Sequence, residues 1–258
     1  SPFKHTGLKN GVTYFYVVTA VNAAGESAAS SEASATPANG TGSADPKFTD
    51  QWHLVDTGSE DINVKTAWDV CAAGEATCRG EGVRIAVVDD GLEIAHEDLA
   101  ANIATRQSHN YVNGSSNPTN LSSDLTSGHG TAVAGIAAAR DLNDLGVRGV
   151  APRASLAGYN FLQTGTTADE ADAMTRKASL VSVNTNSWGP LDGSGDLNDS
   201  SLAWRTAITT GLTEGRGGKG IIYTWAAGNG ANGANVDNAN YDGYANNRGV
   251  IAIGAVSK

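Results

Sequence analysis

Apolar residues fall along this 258-residue chain in short runs separated by glycine- and asparagine-rich stretches. Residues 12–22 read Val-Thr-Tyr-Phe-Tyr-Val-Val-Thr-Ala-Val-Asn, after a Lys9-Asn10-Gly11 turn. Such an aromatic and β-branched run predicts a strand, and its two-residue period puts Tyr14, Tyr16, Val18 and Ala20 on one face. Residues 23–26 predict a turn and 27–35 a weaker returning strand. From residue 83 the rhythm changes to alternating strands and helices. The run 83–88, broken only by Arg84, predicts a strand buried on both faces of a parallel sheet. Helices are predicted at 131–140, 167–180 and 201–214, the last with Trp204, Ile208 and Leu212 on one face. Strands are predicted at 155–161, 181–184, 221–226 and 250–256. The alternation predicts an α/β fold with a doubly wound, mostly parallel sheet.

A two-stranded hairpin is marginal by itself in water. Residues 1–37 are therefore expected to be the end of another domain, cut at its N-terminus, or else an edge hairpin of the main one. Residues 38–44 have the composition of a linker, and the main domain is expected over 45–258.

Charge narrows the partners. A formal net charge of −10 disfavours nucleic acid, which needs a basic surface, and admits cationic ligands. No apolar run reaches the ~20 residues of a membrane span. The only cysteines, Cys71 and Cys78, are spaced for a local disulfide in an exported protein. The alternative is two free thiols. Zinc is disfavoured by two thiols without a nearby histidine.

Chemistry concentrates in two runs, Val87-Val88-Asp89-Asp90-Gly91 and Gly128-His129-Gly130-Thr131. Singly, Asp89 reads as a turn residue and His129 as a loop histidine. Jointly they supply a general base, a carboxylate to orient it, and glycines that let substrate approach. In a doubly wound sheet the site lies beyond the carboxyl ends of the strands. Asp89, Ser187 and Asn229 each follow a predicted strand, so all three are expected at one edge.

The run V-A-V-V-D-D-G-L-E-x-x-H-E-D-L resembles the aspartate motif of the subtilisin-like serine proteases, and S-G-H-G-T-A-V-A-G-I-A-A-A their histidine motif. N-S-W-G-P, then W-A-A-G-N-G, and D-P-K-F-x-D-Q-W-H-L at 45–54 are similar to the kexin/furin-like branch. The resemblance runs from Asp45 to Lys258 in the family's order. It implies a serine endopeptidase in which Asp89 orients the base, His129 is the base, and Asn229 donates to the oxyanion. No serine stands in a Gly-x-Ser-x-Gly or Gly-Thr-Ser setting, so the nucleophile is expected beyond the chain end and the chain alone is expected to be inactive. The order Asp, His, Ser is the subtilisin one.

The resemblance also implies that Ser187, Trp188 and Gly189 pair with the substrate backbone. Asp192 and Asp242 would accept a basic residue before the cut, Asp90 one a position upstream, and Asp172 a more distant one. Ser127 stands where an acidic residue would favour paired basic residues, which puts that preference in doubt. A calcium site is implied at Asp45, Asp98, Asn143, Leu145 and Val147, and a second at Asp192 and Asp237. Asn110, Asn113, Ser115, Ser116 and Asn117 replace the acidic residues of a third, which is expected to be weak or missing. Residues 7–37 resemble the last hairpin of a fibronectin type III domain, with Tyr14 at the tyrosine-corner position. The expected partners are peptide or protein substrates with basic residues, in a secreted, periplasmic or cell-surface setting. The competing expectation is a non-catalytic adhesion protein on a calcium-stabilised protease-like scaffold.

Overall fold

A computed structural model describes residues 5, 12–23, 25–36, 45–55, 58, 60–71, 78–120, 128–230 and 236–256, the side chains of Val70 and Cys71 excepted. The linker 38–44, the turn at 9–11 and Ser127 lie outside the described residues.

The N-terminal segment is an antiparallel ribbon. Strand β1 (Tyr14–Tyr16) pairs with β4 (Ala33–Ala35), and β2 (Val21–Asn22) with β3 (Gly25–Glu26). The expected single strand over 12–22 is thus broken, and part of the expected turn is β3. Tyr14 and Tyr16 are half-buried, but Val18 and Ala20 are exposed, so the expected apolar face ends after Tyr16.

The main body is a five-stranded sheet in the order β6-β5-β7-β8-β9, all parallel. Its strands are β5 (Arg84–Val88), β6 (Ser155–Tyr159), β7 (Val183–Asn186), β8 (Ile222–Ala226) and β9 (Ile251–Ile253). Helix α1 (Val64–Cys71) precedes it; nothing in the sequence reading anticipated this helix. It brings Val64 and Trp68 against Leu54, with Phe48 and Val150 around them.

Strand β5 is apolar on both faces because both are covered. Ile85 and Val87 pack with Ala134 and Ala138 of α2 (His129–Ala138). Ala86 and Val88 pack with Ala173 and Met174 of α3 (Thr167–Thr175) and with Trp204, Ala207 and Ile208 of α4 (Leu202–Gly218). Helices on both faces of a parallel sheet make the fold doubly wound, as predicted. The small residues of α2 let its backbone lie close to the sheet.

Helix ends differ from expectation where capping and glycine decide them. Thr166 caps α3 by accepting the Asp169 N–H, and Ser201 caps α4 by accepting the Trp204 N–H. Helix α3 stops at Thr175, short of 180. Helix α4 runs on to Gly218 only through a break at Gly215–Gly217, whose φ/ψ are non-helical. Leu212, expected beside Trp204 and Ile208, is 38% exposed. At Gly211 a methyl group would collide with the Tyr223 hydroxyl, which donates to the Met174 carbonyl at 2.6 Å. This contact locks α3, α4 and β8 together.

Candidate active site

Because the strands are parallel, the segments that follow β5, β7 and β8 emerge at one edge of the sheet. They carry Asp89, Ser187 and Asn229, as predicted. Asp89 directly follows β5 and is 1% exposed. His129 opens α2 and its side chain is 54% exposed. The ring Nδ1 donates to Asp89 Oδ1 at 2.8 Å. The same oxygen accepts the Asp90 N–H at 2.7 Å, while Oδ2 is buried without a hydrogen-bond partner among the described residues. Burial pushes the Asp89 carboxyl above its ordinary value, and the hydrogen bonds from His129 and Asp90 only partly offset it. Gly130 makes the approach possible: a Cβ there would meet the Gly91 carbonyl and, at 2.7 Å, Asp89 Cβ.

Asp90 faces α2. Its oxygens accept the backbone N–H groups of Gly128, His129 and Gly130 at 2.9, 3.3 and 2.8 Å, and the Asn120 amide at 3.3 Å. Burial alone would raise its pKa, but these four donors hold the carboxyl below its ordinary value.

Asn229 belongs to a neighbouring cavity of about 250 Å3, lined in part by Ser187, Trp188, Gly189, Asp192, Asn229 and Asp242. Its backbone N–H and its side-chain amide both donate to Asp192, at 2.7 and 3.1 Å. The amide is therefore turned to Asp192, and no hydrogen bond joins it to the Asp89–His129 dyad among the described residues. Asp237 accepts the N–H groups of Gly193 and Gly195 at 2.6 and 2.9 Å, which hold its carboxyl below the usual value. Asp242 accepts the Tyr244 N–H at 2.8 Å through Oδ1. Its Oδ2 looks toward Gly189, 3.4 Å from where a Cβ would stand.

The cavity rests on an aromatic stack. Trp188 donates its indole N–H to the Val88 carbonyl at 3.1 Å and packs on Trp225 with ring centroids 4.4 Å apart. Tyr244 lies flat on Trp225 and donates its hydroxyl to buried Glu170 at 2.7 Å. Glu170 also accepts from Ser201, the cap of α4. Neither Glu170 nor Tyr244 was singled out from sequence, and a lone glutamate on a helix gives no signal of this network.

Asp172 is far from free. Its Oδ2 accepts the Tyr111 hydroxyl at 2.7 Å and Arg176 Nε at 2.6 Å. An i,i+4 ion pair thus satisfies the carboxylate expected to await a distant basic residue.

The loop expected to hold calcium folds as a cluster of hydrogen bonds. Asp98, 3% exposed, accepts the Asn143 amide at 2.8 Å and the Val147 N–H at 2.9 Å. Burial, with the Asp45 charge adding to it, raises its pKa. No lysine or arginine pairs with Asp98 among the described residues. Asp45 is committed otherwise: Arg148 Nε and Nη2 both lie 2.8 Å from its Oδ2, and the N–H groups of Leu142 and Asn143 bind at 3.1 Å. Asp98 and the Asn143 side-chain oxygen are of the kind a hard cation takes, although Asn143 Oδ1 accepts the Leu145 N–H at 3.0 Å, and Asp45, held by Arg148, fits less well. Asp192 uses its oxygens on the backbone N–H and side-chain amide of Asn229, and Asp237 on the N–H groups of Gly193 and Gly195. Asn110, Asn113, Ser115 and Asn117 form self-satisfied turns, with Asn110 Oδ1 accepting the Val112 N–H at 2.9 Å. Among the described residues no three His, Cys, Asp or Glu side chains group as a metal cage. Cys78 is disulfide-bonded. No helix among the described residues is long and apolar enough to cross a membrane.

The subtilase family, peptidase S8, matches residues 80–258. Neuroendocrine convertase 2 of Bos taurus is 35% identical over 213 residues, 81% of this chain and 33% of that protein. Kexin of Saccharomyces cerevisiae is 38% identical over 216 residues, 82% of this chain and 25% of that one. The crystal structure of the serine protease of Aeromonas sobria superposes with a TM-score of 0.60 at 34% identity, over 73% of this chain and 33% of that chain. The chain thus spans a third or less of the curated relatives it matches here. The N-terminal ribbon lies before the family match. With its parallel sheet, its Asp89–His129 pair and a family match over more than half its length, the chain belongs to the subtilase family of peptidases.

Proposed function

We propose that the protein is a serine endopeptidase that cleaves after a basic residue. One observation carries this reading: the buried Asp89 carboxylate holds Nδ1 of the half-exposed His129 at 2.8 Å on a subtilase framework. With its proton on Nδ1, the imidazole presents a bare Nε2. That atom takes the proton of an attacking hydroxyl and returns it to the leaving amine. The hydroxyl would come from a serine that follows Asn229 in subtilase order. The Asn229 amide carries two hydrogens. One is on Asp192, and the second is available to the oxyanion of the tetrahedral intermediate.

Selectivity would reside in the cavity beside β7. Asp242 Oδ2, facing bare Gly189, offers a carboxylate oxygen to a guanidinium or ammonium, and Asp192 adds a second negative charge. Arginine gains most in such a pocket, because its planar fork bonds a carboxylate through two N–H groups. Ser187, Trp188 and Gly189 would pair with the substrate backbone, as an added strand pairs with a sheet edge.

Calcium would be held by Asp98, Asn143 and the carbonyls of Leu145 and Val147, where it would offset the buried charge of Asp98. Disulfide-bonded Cys78 supports a secreted, periplasmic or cell-surface protein. The ribbon at 14–35 supports the reading of residues 1–37 as the end of a fibronectin type III domain.

The test is cleavage by the full-length protein of peptides that differ only in Arg or Leu before the scissile bond. Arg is expected to be favoured, and His129→Ala to abolish both reactions. An Arg preference left unchanged by Asp192→Asn plus Asp242→Asn would remove the pocket from the account. For calcium, the melting temperature should rise with added Ca2+ in the wild-type chain and not in Asp98→Asn.

A further inference from the structure

Helix α2 starts with a defect. Its N-cap is Gly128, at φ 124°, which has no side chain to cap with. The first backbone N–H groups of a helix have no acceptor within it. His129 is the first residue of that turn, so any looseness there is passed directly to the ring that faces Asp89.

Asp90 fills the gap from another element. Its two carboxylate oxygens accept the N–H groups of Gly128, His129 and Gly130, at 2.9, 3.3 and 2.8 Å. The backbone of Asp90 is fixed in turn. Its N–H donates to Asp89 Oδ1 at 2.7 Å, the oxygen that holds His129 Nδ1, and its carbonyl accepts Gln163 Nε2 at 2.8 Å. The result is a closed ring. It runs from Asp89 Oδ1 to the imidazole, through the His129 backbone N–H to the Asp90 carboxylate, and back along the Asp90 backbone to Asp89 Oδ1.

We propose that Asp90 is a positioning residue, whose carboxylate caps α2 across the loop and thereby sets the His129 ring against Asp89. It rests on the proteolytic reading for its consequence in catalysis, but not for its geometry. The Asp90 carboxylate already holds three backbone donors and the Asn120 amide. A cation arriving there would compete with bonds that fasten the base.

The direct readout is the ring Nδ1 proton of His129, followed by proton NMR on this chain and assigned by its loss in His129→Ala. In the wild type a strongly deshielded, slowly exchanging signal is expected. In Asp90→Ala it should disappear by exchange, and in Asp90→Asn, which keeps one acceptor oxygen, it should weaken. An unchanged signal in Asp90→Ala overturns the proposal. Should Asp90→Ala lose its far-ultraviolet circular dichroism, Asp90→Asn decides alone, and an unchanged signal there overturns it equally.

The second readout is kinetic, on the full-length protein with Asp90→Asn. Positioning predicts that kcat falls about tenfold or more with KM unchanged, because misplacing a base by under an ångström has costs of that order. The loss should be the same whether the peptide carries Lys or Leu one residue upstream of the specificity residue. A loss confined to the Lys peptide and carried by KM would overturn the proposal in favour of a substrate contact. Absence of cleavage by the wild type would defeat the proteolytic reading and leave the NMR outcome standing.

Discussion

The dyad and the cavity beside it are built on opposite principles. Asp89 and His129 sit at the end of a buried strand and the start of a helix packed on that strand's sheet. Their separation is set by the distance between two elements of the core. Asp192, Asp237 and Asp242 lie on glycine- and asparagine-rich loops, and backbone N–H groups staple all three to their own loops or to the adjoining one. A burial-strained carboxylate marks the first region, and solvated carboxylates the second. Base geometry is therefore held by the framework, while charge selectivity is carried by segments that can vary without disturbing it.

The sharpest way to break this contrast is Gly130→Ala. The new methyl would meet the Gly91 carbonyl and Asp89 Cβ, neither of which can swing away. A loss of about 3 kcal/mol is expected in chemical denaturation, since overpacking against backbone has costs at the top of its usual range. No loss would mean that the framework does not set the dyad distance.

Next is Asp242→Asn, in the loop region. It should leave stability nearly unchanged and lower kcat/KM for an Arg peptide by roughly 2 kcal/mol relative to a Leu peptide, the scale of a hydrogen bond to a charge. An equal fall for both peptides would assign Asp242 to loop structure instead.

Asp90→Ala should cost about 1.5 kcal/mol at neutral pH, the scale of a lost helix cap. Its pH dependence has a definite sign. Its four donors hold the folded-state pKa of Asp90 below the ordinary aspartate value, so its contribution is present above that value and lost as pH falls through the folded pKa. The stability gap between wild type and Asp90→Ala should therefore close on acidification below pH 3.8. Asp89 acts in the reverse sense: its raised pKa costs stability as pH climbs through the window above 3.8. A gap that widened in acid would contradict the capping geometry.

The smallest effect is expected for Asp172→Asn. Its carboxylate is 43% exposed and pairs i,i+4 with Arg176. Such a pair contributes under about 0.5 kcal/mol, and peptide selectivity should not change at all.

Legibility from sequence followed the length scale of each feature. Strand β5 was readable because a run buried on both faces must be apolar throughout. The edge carrying Asp89, Ser187 and Asn229 was readable because parallel strands all end on one side. Helix α1 escaped notice, since its apolar residues Val64 and Trp68 bury against Leu54 and Val150, partners remote or irregular in sequence. The commitment of Asp172 to Arg176 had a signal that went unused, the i,i+4 spacing on a helix. The role of Asp90 had a subtler one: a helix that opens on Gly128 must borrow its cap from elsewhere.

Residue order alone established the α/β alternation, the subtilase resemblance, and the candidacy of Asp89 and His129, because periodicity and short motifs are local properties of a chain. Which oxygen meets which donor was decided only when remote segments came together. Asp45 found Arg148, Asp192 found Asn229, and Asp90 turned to a helix 38 residues away. Carboxylates look alike in a sequence; their different burdens arise from the donors that folding places around them and from the water it removes.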